Sequence, residues 1–144
     1  MQYHKNTGLR WTTYRYVEAM VKDFDKYDDL IEKRREEILA PYRVSDENIG
    51  GGRSGMPSNA VERVATALVT DSVIVRLETE KQAVSEALEA LDEQSLKVIK
   101  LAYLTKPRTK TWIEIADECF YSVRSCYRIR DGLIKDIAEK LSLT

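Results

Sequence analysis

Three arginines lie within seven residues near the carboxyl end of the chain, at Arg124, Arg128 and Arg130. A guanidinium group can donate paired hydrogen bonds to O6 and N7 of a guanine, and it pairs equally well with a phosphate. Arg124 and Arg128 are four residues apart, so on a helix they share a face. The residue types and their spacing therefore indicate recognition of a nucleic acid rather than a chemical reaction.

The distribution of charge supports this interpretation. Residues 105–130 carry six Lys and Arg against three Asp and Glu, a net charge of +3, whereas residues 78–93 carry one against six, a net charge of −5. The whole chain has a formal net charge of −1, so attraction to phosphates must come from the local excess. We predict that the C-terminal region binds double-stranded DNA.

The sequence lacks the residue sets that catalysis or metal binding would need. The single histidine, His4, is expected near a frayed terminus, and Cys119 and Cys126 have no partners at metal-ligand spacing. A nucleophile and its base could be assembled only with His4. We therefore predict a protein that is not an enzyme, with no catalytic residues, no metal and no cofactor. The two thiols are expected to be reduced and to pack as small hydrophobic groups.

The composition predicts a protein with a packed core. The 144 residues are 43% hydrophobic and 33% charged, which suits one domain or two small ones. The sequence shows neither the apolar core of a signal peptide nor a run of about 18 apolar residues. We expect no membrane association and a location in the cytoplasm.

Apolar residues recur three or four positions apart in two long stretches, which predicts an all-α fold. The first helix is expected over 12–39, capped by Thr12 or Thr13 and ended by Pro41. The second is expected over 59–90. Joined by a loop, the two would close into a long antiparallel hairpin, whose apolar stripes form an internal core or, alternatively, part of a homodimer interface.

Shorter helices are predicted to follow this hairpin. Asp92 is placed to cap a helix over 93–104. The pattern indicates two domains, an N-terminal helical hairpin over 1–91 and a DNA-binding domain over 92–144.

The end of the chain has the pattern of a helix-turn-helix, a short helix and a tight turn before a second helix that enters the DNA major groove. We expect helices over 111–119 and 122–141 with a turn at 119–121. Ser122 would cap the second helix, and Trp112 would be a core or hinge anchor. The inward positions are predicted to be held by Ile115, Ala116, Cys119, Tyr121, Cys126 and Ile129.

Phe120 departs from this pattern, because one residue of such a turn takes a left-handed conformation that favours glycine. Either the turn has a different geometry, or packing holds Phe120 in place.

The outward residues of the last helix are then the candidates for contact with DNA. Asp131 is expected to face outward or toward a flank. The predicted base-reading residues are Val123, Arg124, Tyr127 and Arg128. The predicted phosphate-binding residues are Lys106, Arg108, Lys110, Ser122, Ser125, Arg130 and Arg53.

Arg53 lies in a glycine-rich segment over 46–58, which holds four of the six glycines of the chain. A phosphate-binding P-loop is excluded because no lysine follows the glycines and no strand is expected before them. Two hypotheses remain. The segment is a mobile loop that becomes ordered on DNA or polymerase, with Arg53 on a phosphate, or it is a hinge between helices.

Three pieces of the sequence, DENIGGGRS, LTKPRTKTW and SVRSCYRIRD, resemble phage transcriptional regulators of the RinA type, with ArpU-like regulators as relatives. The resemblance extends over about residues 25–141. The last fifty residues also look like the sigma-factor region that reads the promoter −35 element. The resemblance implies a phage or prophage activator of late genes, associated with the nucleoid of the bacterial host, with host RNA polymerase as a further candidate partner.

Two other functions are compatible with the same sequence. A DNA-packaging protein of the small-terminase type also joins a helix-turn-helix to helical oligomerisation segments. An adaptor could use the C-terminal helices to bind polymerase without touching DNA.

Overall fold

The computed structural model describes residues 2–47 and 58–144. Within these ranges the fold is all-α, as predicted, and a single bridge between Tyr3 and Arg10 is the only pairing of extended backbone. None of the described helices is both long and apolar enough to cross a membrane. Arg53 and most of the glycine-rich segment lie outside the described residues. The helices are α1 Trp11–Lys22, α2 Tyr27–Glu47, α3 Ser58–Thr70, α4 Ser72–Glu89, α5 Glu93–Ile99, α6 Trp112–Cys119 and α7 Val123–Lys140, with a 3-10 turn at Phe24–Lys26 and a π-helical turn at Lys100–Leu104.

The helix predicted over 12–39 is in fact two helices. Helix α1 follows Arg10, so neither Thr12 nor Thr13 is its cap, and it ends at Lys22 because Asp23 leaves helical geometry. Helix α2 continues past Pro41, which lies inside it. The prediction that Pro41 ends the helix was therefore wrong. A proline inside a helix removes one backbone hydrogen bond and crowds the carbonyl four residues earlier, and here that cost does not end the helix.

The helix predicted over 59–90 is also interrupted, at Asp71. The Asp71 carboxylate accepts a hydrogen bond from the backbone N–H of Ile74 at 3.0 Å, which caps the start of α4. The same carboxylate accepts from Nε and Nη2 of Arg34 at 3.0 and 2.8 Å. The bonds from Arg34 and Ile74 lower the pKa of Asp71 to about 2. Asp71 therefore does not occupy a polar position within one long helix. It lies between α3 and α4 and caps the second of them.

The chain forms two compact units, Lys26–Thr79 and a second that joins the residues up to Asp25 to Glu80–Thr144. In the first unit α2 packs on α3. In the second, α1 and α5 both pack on α7, and α6 packs on α5 and α7. These bounds differ from the predicted domains, because the N-terminal residues belong with the C-terminal helices. The largest fully buried side chains of the second unit are Val17, Val21, Val84, Val98, Ile99, Ile115, Cys126, Ile134 and Ile137.

Two helix starts of the C-terminal region were predicted correctly. Asp92 caps α5 by accepting from the backbone N–H of Ser95 at 2.7 Å. Ser122 caps α7 by accepting from the backbone N–H of Ser125 at 3.0 Å. Three residues, 120–122, separate α6 from α7, so a short turn joins the two helices.

Phe120 provides the left-handed residue of this turn, with φ 58° and ψ 35°. Its side chain is 93% exposed. Neither expected explanation is correct, since the turn has the geometry that favours glycine and packing does not hold the ring. The turn is closed by backbone bonds instead, among them one from the N–H of Tyr121 to the carbonyl of Ala116 at 2.9 Å.

The exposure of Phe120 leads to a prediction about stability. Phe120→Gly removes the cost of a left-handed residue and loses no packing, so we expect it to maintain the free energy of unfolding or raise it by up to about 1 kcal/mol. Phe120→Val places a β-branched residue at the same φ and should lower that free energy by about 1–2 kcal/mol. Urea unfolding of both variants measures the difference. Equal stability of the two variants would contradict the observed backbone conformation.

Candidate nucleic-acid interface

A buried carboxylate fixes the face of α7 that carries the arginines. Asp131 is 5% exposed. It accepts hydrogen bonds from Oη of Tyr14 at 2.7 Å, from Nδ2 of Asn6 at 3.1 Å and from Nε of Arg130 at 3.0 Å. The prediction that Asp131 faces outward or toward a flank was therefore wrong. It lies inward because α1 and the N-terminal segment cover this side of α7.

The three donors keep Asp131 charged despite its burial. Burial alone would raise the pKa of this carboxyl, but the bonds from Arg130, Tyr14 and Asn6 together hold it below its ordinary value. Burial and the bond to the carboxylate raise the pKa of the Tyr14 hydroxyl. Asp131 is thus an anion and Tyr14 is its neutral hydrogen-bond donor, and a buried carboxylate requires such a donor.

The N-terminal residues form a closed turn against α7 and α1. His4 is buried, and its ring stacks on that of Tyr14 with centroids 4.1 Å apart. Its Nδ1 lies 3.0 Å from Oγ1 of Thr7, and its Nε2 lies 3.8 Å from Oδ1 of Asp131. Gly8 closes the turn with a positive φ of 73°. The expectation of a frayed terminus was wrong for these residues.

Arg130 lies among aromatic rings rather than at an open edge. Its guanidinium carbon is 4.4 Å from the ring centroid of Tyr127, 5.4 Å from that of Trp112 and 6.0 Å from that of Tyr14. Only 18% of the side chain is exposed. Trp112 also meets Tyr103 and Tyr127 edge to face. The cation and the rings stabilise one another and fix the position of Tyr127.

All four residues predicted to read bases are at least partly accessible to solvent. Arg124, Tyr127 and Arg128 are exposed and Val123 is half-buried. In the part of the chain that the structure describes, neither Arg124 nor Arg128 is paired with a carboxylate. Ser122 is exposed at the start of the helix, and its hydroxyl lies 2.9 Å from that of Ser125. This end of α7 therefore presents two uncompensated guanidinium groups and two hydroxyls.

The predicted phosphate-binding residues of the linker already have partners. Nζ of Lys106 donates to Oδ1 of Asp25 at 2.8 Å, and Nζ of Lys110 pairs with Glu118. Arg108 donates from Nε to the carbonyl of Lys110 at 2.9 Å, with its guanidinium 5.1 Å from the Trp112 ring centroid. A phosphate would have to replace the carboxylates at both lysines.

The inward positions of α6 and α7 agree largely with the prediction. Ile115, Ala116, Cys119 and Cys126 are buried, and Tyr121 and Ile129 are half-buried. Burial raises the pKa of the Cys126 thiol, which suits its packing as a small hydrophobic group. Within the described ranges, no group of three or more His, Cys, Asp and Glu could hold a metal ion.

The sequence interpretation missed the cluster around Asp131, although one sign of it was present. Asp131, Ile134 and Ala138 are spaced three and four residues apart, and the last two are buried. That spacing places all three on one buried stripe of α7. Nothing comparable pointed to Asn6 and Tyr14, which lie more than a hundred residues away in the chain.

Together, these features define an all-α protein whose last helix, after a three-residue turn, presents an open cationic face. Residues 17–139 match the family described as "Protein of unknown function (DUF722)", and the chain belongs to that family. It is similar to the "Transcriptional activator rinA" of Staphylococcus phage phi11, with 27% identity over 139 residues that cover 95% of this chain and 96% of the relative. The resemblance to RinA-type regulators is thereby confirmed. No solved structure matches the chain.

The geometry of Asp131 leads to a second prediction. Asp131→Ala leaves Tyr14, Asn6 and the largely buried Arg130 without their acceptor, so we expect the free energy of unfolding to fall by about 2–4 kcal/mol. Asp136→Ala is the control, because that carboxylate lies on the same helix with one surface lysine 3.8 Å away and should cost well under about 1 kcal/mol. A similar cost for both variants would show that the buried cluster adds nothing.

The lowered pKa of Asp131 sets the pH dependence of this effect. Its contribution is present above the unfolded pKa of about 3.9 and is lost as the pH falls through the lower folded value. The difference in stability between the wild type and Asp131→Asn should therefore narrow below about pH 4. Thermal unfolding from pH 7 down to pH 3 measures this difference, and a constant difference across that range would argue against a charged carboxylate.

Proposed function

We propose that this protein is a phage transcription activator that binds double-stranded promoter DNA through α6, the following turn and α7. The observation that carries the proposal is the exposure of the Arg124 and Arg128 guanidinium groups on the first turns of α7, where no carboxylate of the described residues pairs with them. Asp131 lies about one turn past Arg128 on the same face, where its bonds to Tyr14 and Asn6 hold α1 and the N-terminal turn in place. The name of the phage phi11 relative supports the class of function. Such a protein would act in the bacterial host cell, in the cytoplasm and at the nucleoid.

In this proposal the start of α7 enters the major groove. Arg124 and Arg128, four residues apart, read guanine edges, because a guanidinium matches O6 and N7 of that base. Val123 and Tyr127 flank them and contact neighbouring bases. Ser122 and Ser125 and the free amides of the first turn bind a phosphate at the groove edge.

The remaining cations are given two roles. Lys106, Arg108 and Lys110 bind phosphates beside the groove after exchanging their present partners. Arg130, which is stacked and largely buried, acts mainly as a positioning residue that holds Tyr127 at the surface. The phosphate contact predicted for Arg53 stays a prediction, as does the choice between a DNA-ordered loop and a hinge.

Arg124→Ala tests the base-reading role. If Arg124 donates two bonds to one guanine, the variant should lose about 1–3 kcal/mol of binding free energy on the preferred site and much less on a site with that base changed. The preferred site is first found by footprinting on phage promoter fragments, and affinities are then measured by fluorescence anisotropy. An equal loss on all sequences would make Arg124 a phosphate contact.

The ion pair of Lys110 allows a test in which a substitution is expected to raise DNA affinity rather than lower it. Glu118→Gln releases Lys110 from its carboxylate, so affinity for duplex DNA at low salt should rise about two- to fivefold. Asp117→Asn is the matched control, since it removes the same charge from α6 at an exposed residue with no cation paired to it in the described ranges. If both variants gain equally, the change reflects net charge alone and Lys110 is not at the interface.

The same purified chain distinguishes the alternatives. Ring-sized assemblies in light scattering would favour a packaging protein of the small-terminase type, whereas a monomer or homodimer fits the activator. A protein that ignores duplex DNA in dilute buffer but binds host RNA polymerase would be an adaptor.

A further inference from the structure

An open cleft of about 630 Å³ lies between the N-terminal turn and the outer face of α7, in the same compact unit. Its walls include Lys5 and Asn6 from the turn, and Arg128, Gly132 and Lys135 from α7. The cleft begins beside Arg124 and continues along the helix past the residues proposed to read bases. Its far half has no role in the function proposed above.

The cleft is strongly cationic. Lys5, Arg124, Arg128 and Lys135 all line it and are exposed. Among the residues that the structure describes, no carboxylate pairs with any of these four. The one carboxylate in the wall, Asp131, is already occupied by three donors. Four positive charges therefore line an open space in which none of them pairs with a carboxylate of the described residues, an arrangement that suits an anionic ligand.

Gly132 forms part of the floor of this cleft. A glycine inside a helix is less favourable than alanine by about 1 kcal/mol. A Cβ added at Gly132 would meet nothing within 4 Å, and its φ is not in the left-handed region. Neither packing within the protein nor backbone conformation thus explains the residue. Its effect is to leave bare helix backbone between Arg128 and Lys135, where an external group can approach closely.

The opposite wall is held in place before any ligand binds. Asn6 donates to Asp131, and the neighbouring His4 is buried against Tyr14. Lys5 lies between them in the chain, so its backbone is fixed while its side chain is exposed. A cation on a fixed turn loses less conformational freedom on binding than one on a loose tail.

We infer that this cleft is a second phosphate-binding site, which takes the sugar–phosphate backbone of duplex DNA beside the bases read by Arg124; the inference rests on the proposed function. The stripe of cations ends at Lys135, which lies eleven residues after Arg124, a rise of about 16 Å along the helix axis. One end of the stripe reaches the groove, while the other, with Lys5, contacts the flanking strand. These contacts fix the register of the protein on DNA and carry no sequence information.

Lys5→Ala and Lys135→Ala in the full chain test the site. Each should lower affinity for duplex DNA at low salt by about three- to tenfold, equally on the preferred site and on a scrambled duplex, and should reduce the slope of log K against log salt by about 0.9. Lys97→Ala is the control, because Lys97 is an exposed cation of α5 that does not line the cleft. Losses no larger than the control, with an unchanged slope, would overturn the inference.

Gly132→Leu provides a test in which stability and binding move in opposite directions. Leucine is a good helix former, and its Cβ would meet nothing within 4 Å, so the melting temperature should rise. The rest of its side chain would extend into the cleft, so DNA affinity should fall by about tenfold. A higher melting temperature with unchanged affinity would show that nothing approaches Gly132, and would overturn the inference.

The outcomes separate this inference from the proposed function. If the wild type does not bind duplex DNA, both fail. If Arg124→Ala loses base preference while the Lys5, Lys135 and Gly132 variants bind as the wild type does, only the second site fails. A third outcome would assign the cleft to a free nucleotide instead. In that case a nucleoside triphosphate raises the melting temperature of the wild type but not that of Lys5→Ala, and Lys5→Ala binds DNA as tightly as the wild type does.

Discussion

The Asp131 carboxylate is the interaction on which the geometry of the candidate interface depends. It is buried, charged and bonded to three donors from three parts of the chain, namely Asn6 of the N-terminal turn, Tyr14 of α1 and Arg130 of α7. A buried carboxylate without those donors would be costly. The N-terminal turn, helix α1 and helix α7 are therefore fixed together, and Arg124 and Arg128 lie exposed on the same face of α7, about two turns and one turn before Asp131.

The cations of this region are of two kinds, and the proposed function gives each kind a different role. Arg130 is stacked among aromatic rings and paired with Asp131, while Lys106 and Lys110 hold carboxylates that a phosphate must replace. Arg124, Arg128 and the cations of the cleft have no such partner in the described part of the chain. A count of charges along the sequence does not distinguish these cations, whereas their burial and their ion pairs in the structure do.

Local patterns predicted the parts of the fold that depend on near neighbours. The caps at Asp92 and Ser122, the all-α class and the buried Cys119 and Cys126 follow from side chains that act within one or two turns. The sequence pattern did not predict the breaks at Asp23 and Asp71, because apolar residues continue at helical spacing across both positions. Only a few local hydrogen bonds end the helix there, and such bonds leave no trace in the periodicity. The role of Tyr14 could not be predicted, since it depends on a contact 117 residues along the chain.

That separation has a consequence for how the protein is made. The hydroxyl of Tyr14 leaves the ribosome long before Asp131 is translated, and the unit that contains both is interrupted in sequence by Lys26–Thr79. All residues of the interrupting unit are translated before Glu80, so that unit can fold during synthesis. The unit that contains Tyr14 and Asp131 closes only after α7 has been made. The cationic surface of the nascent chain therefore forms after the interrupting unit.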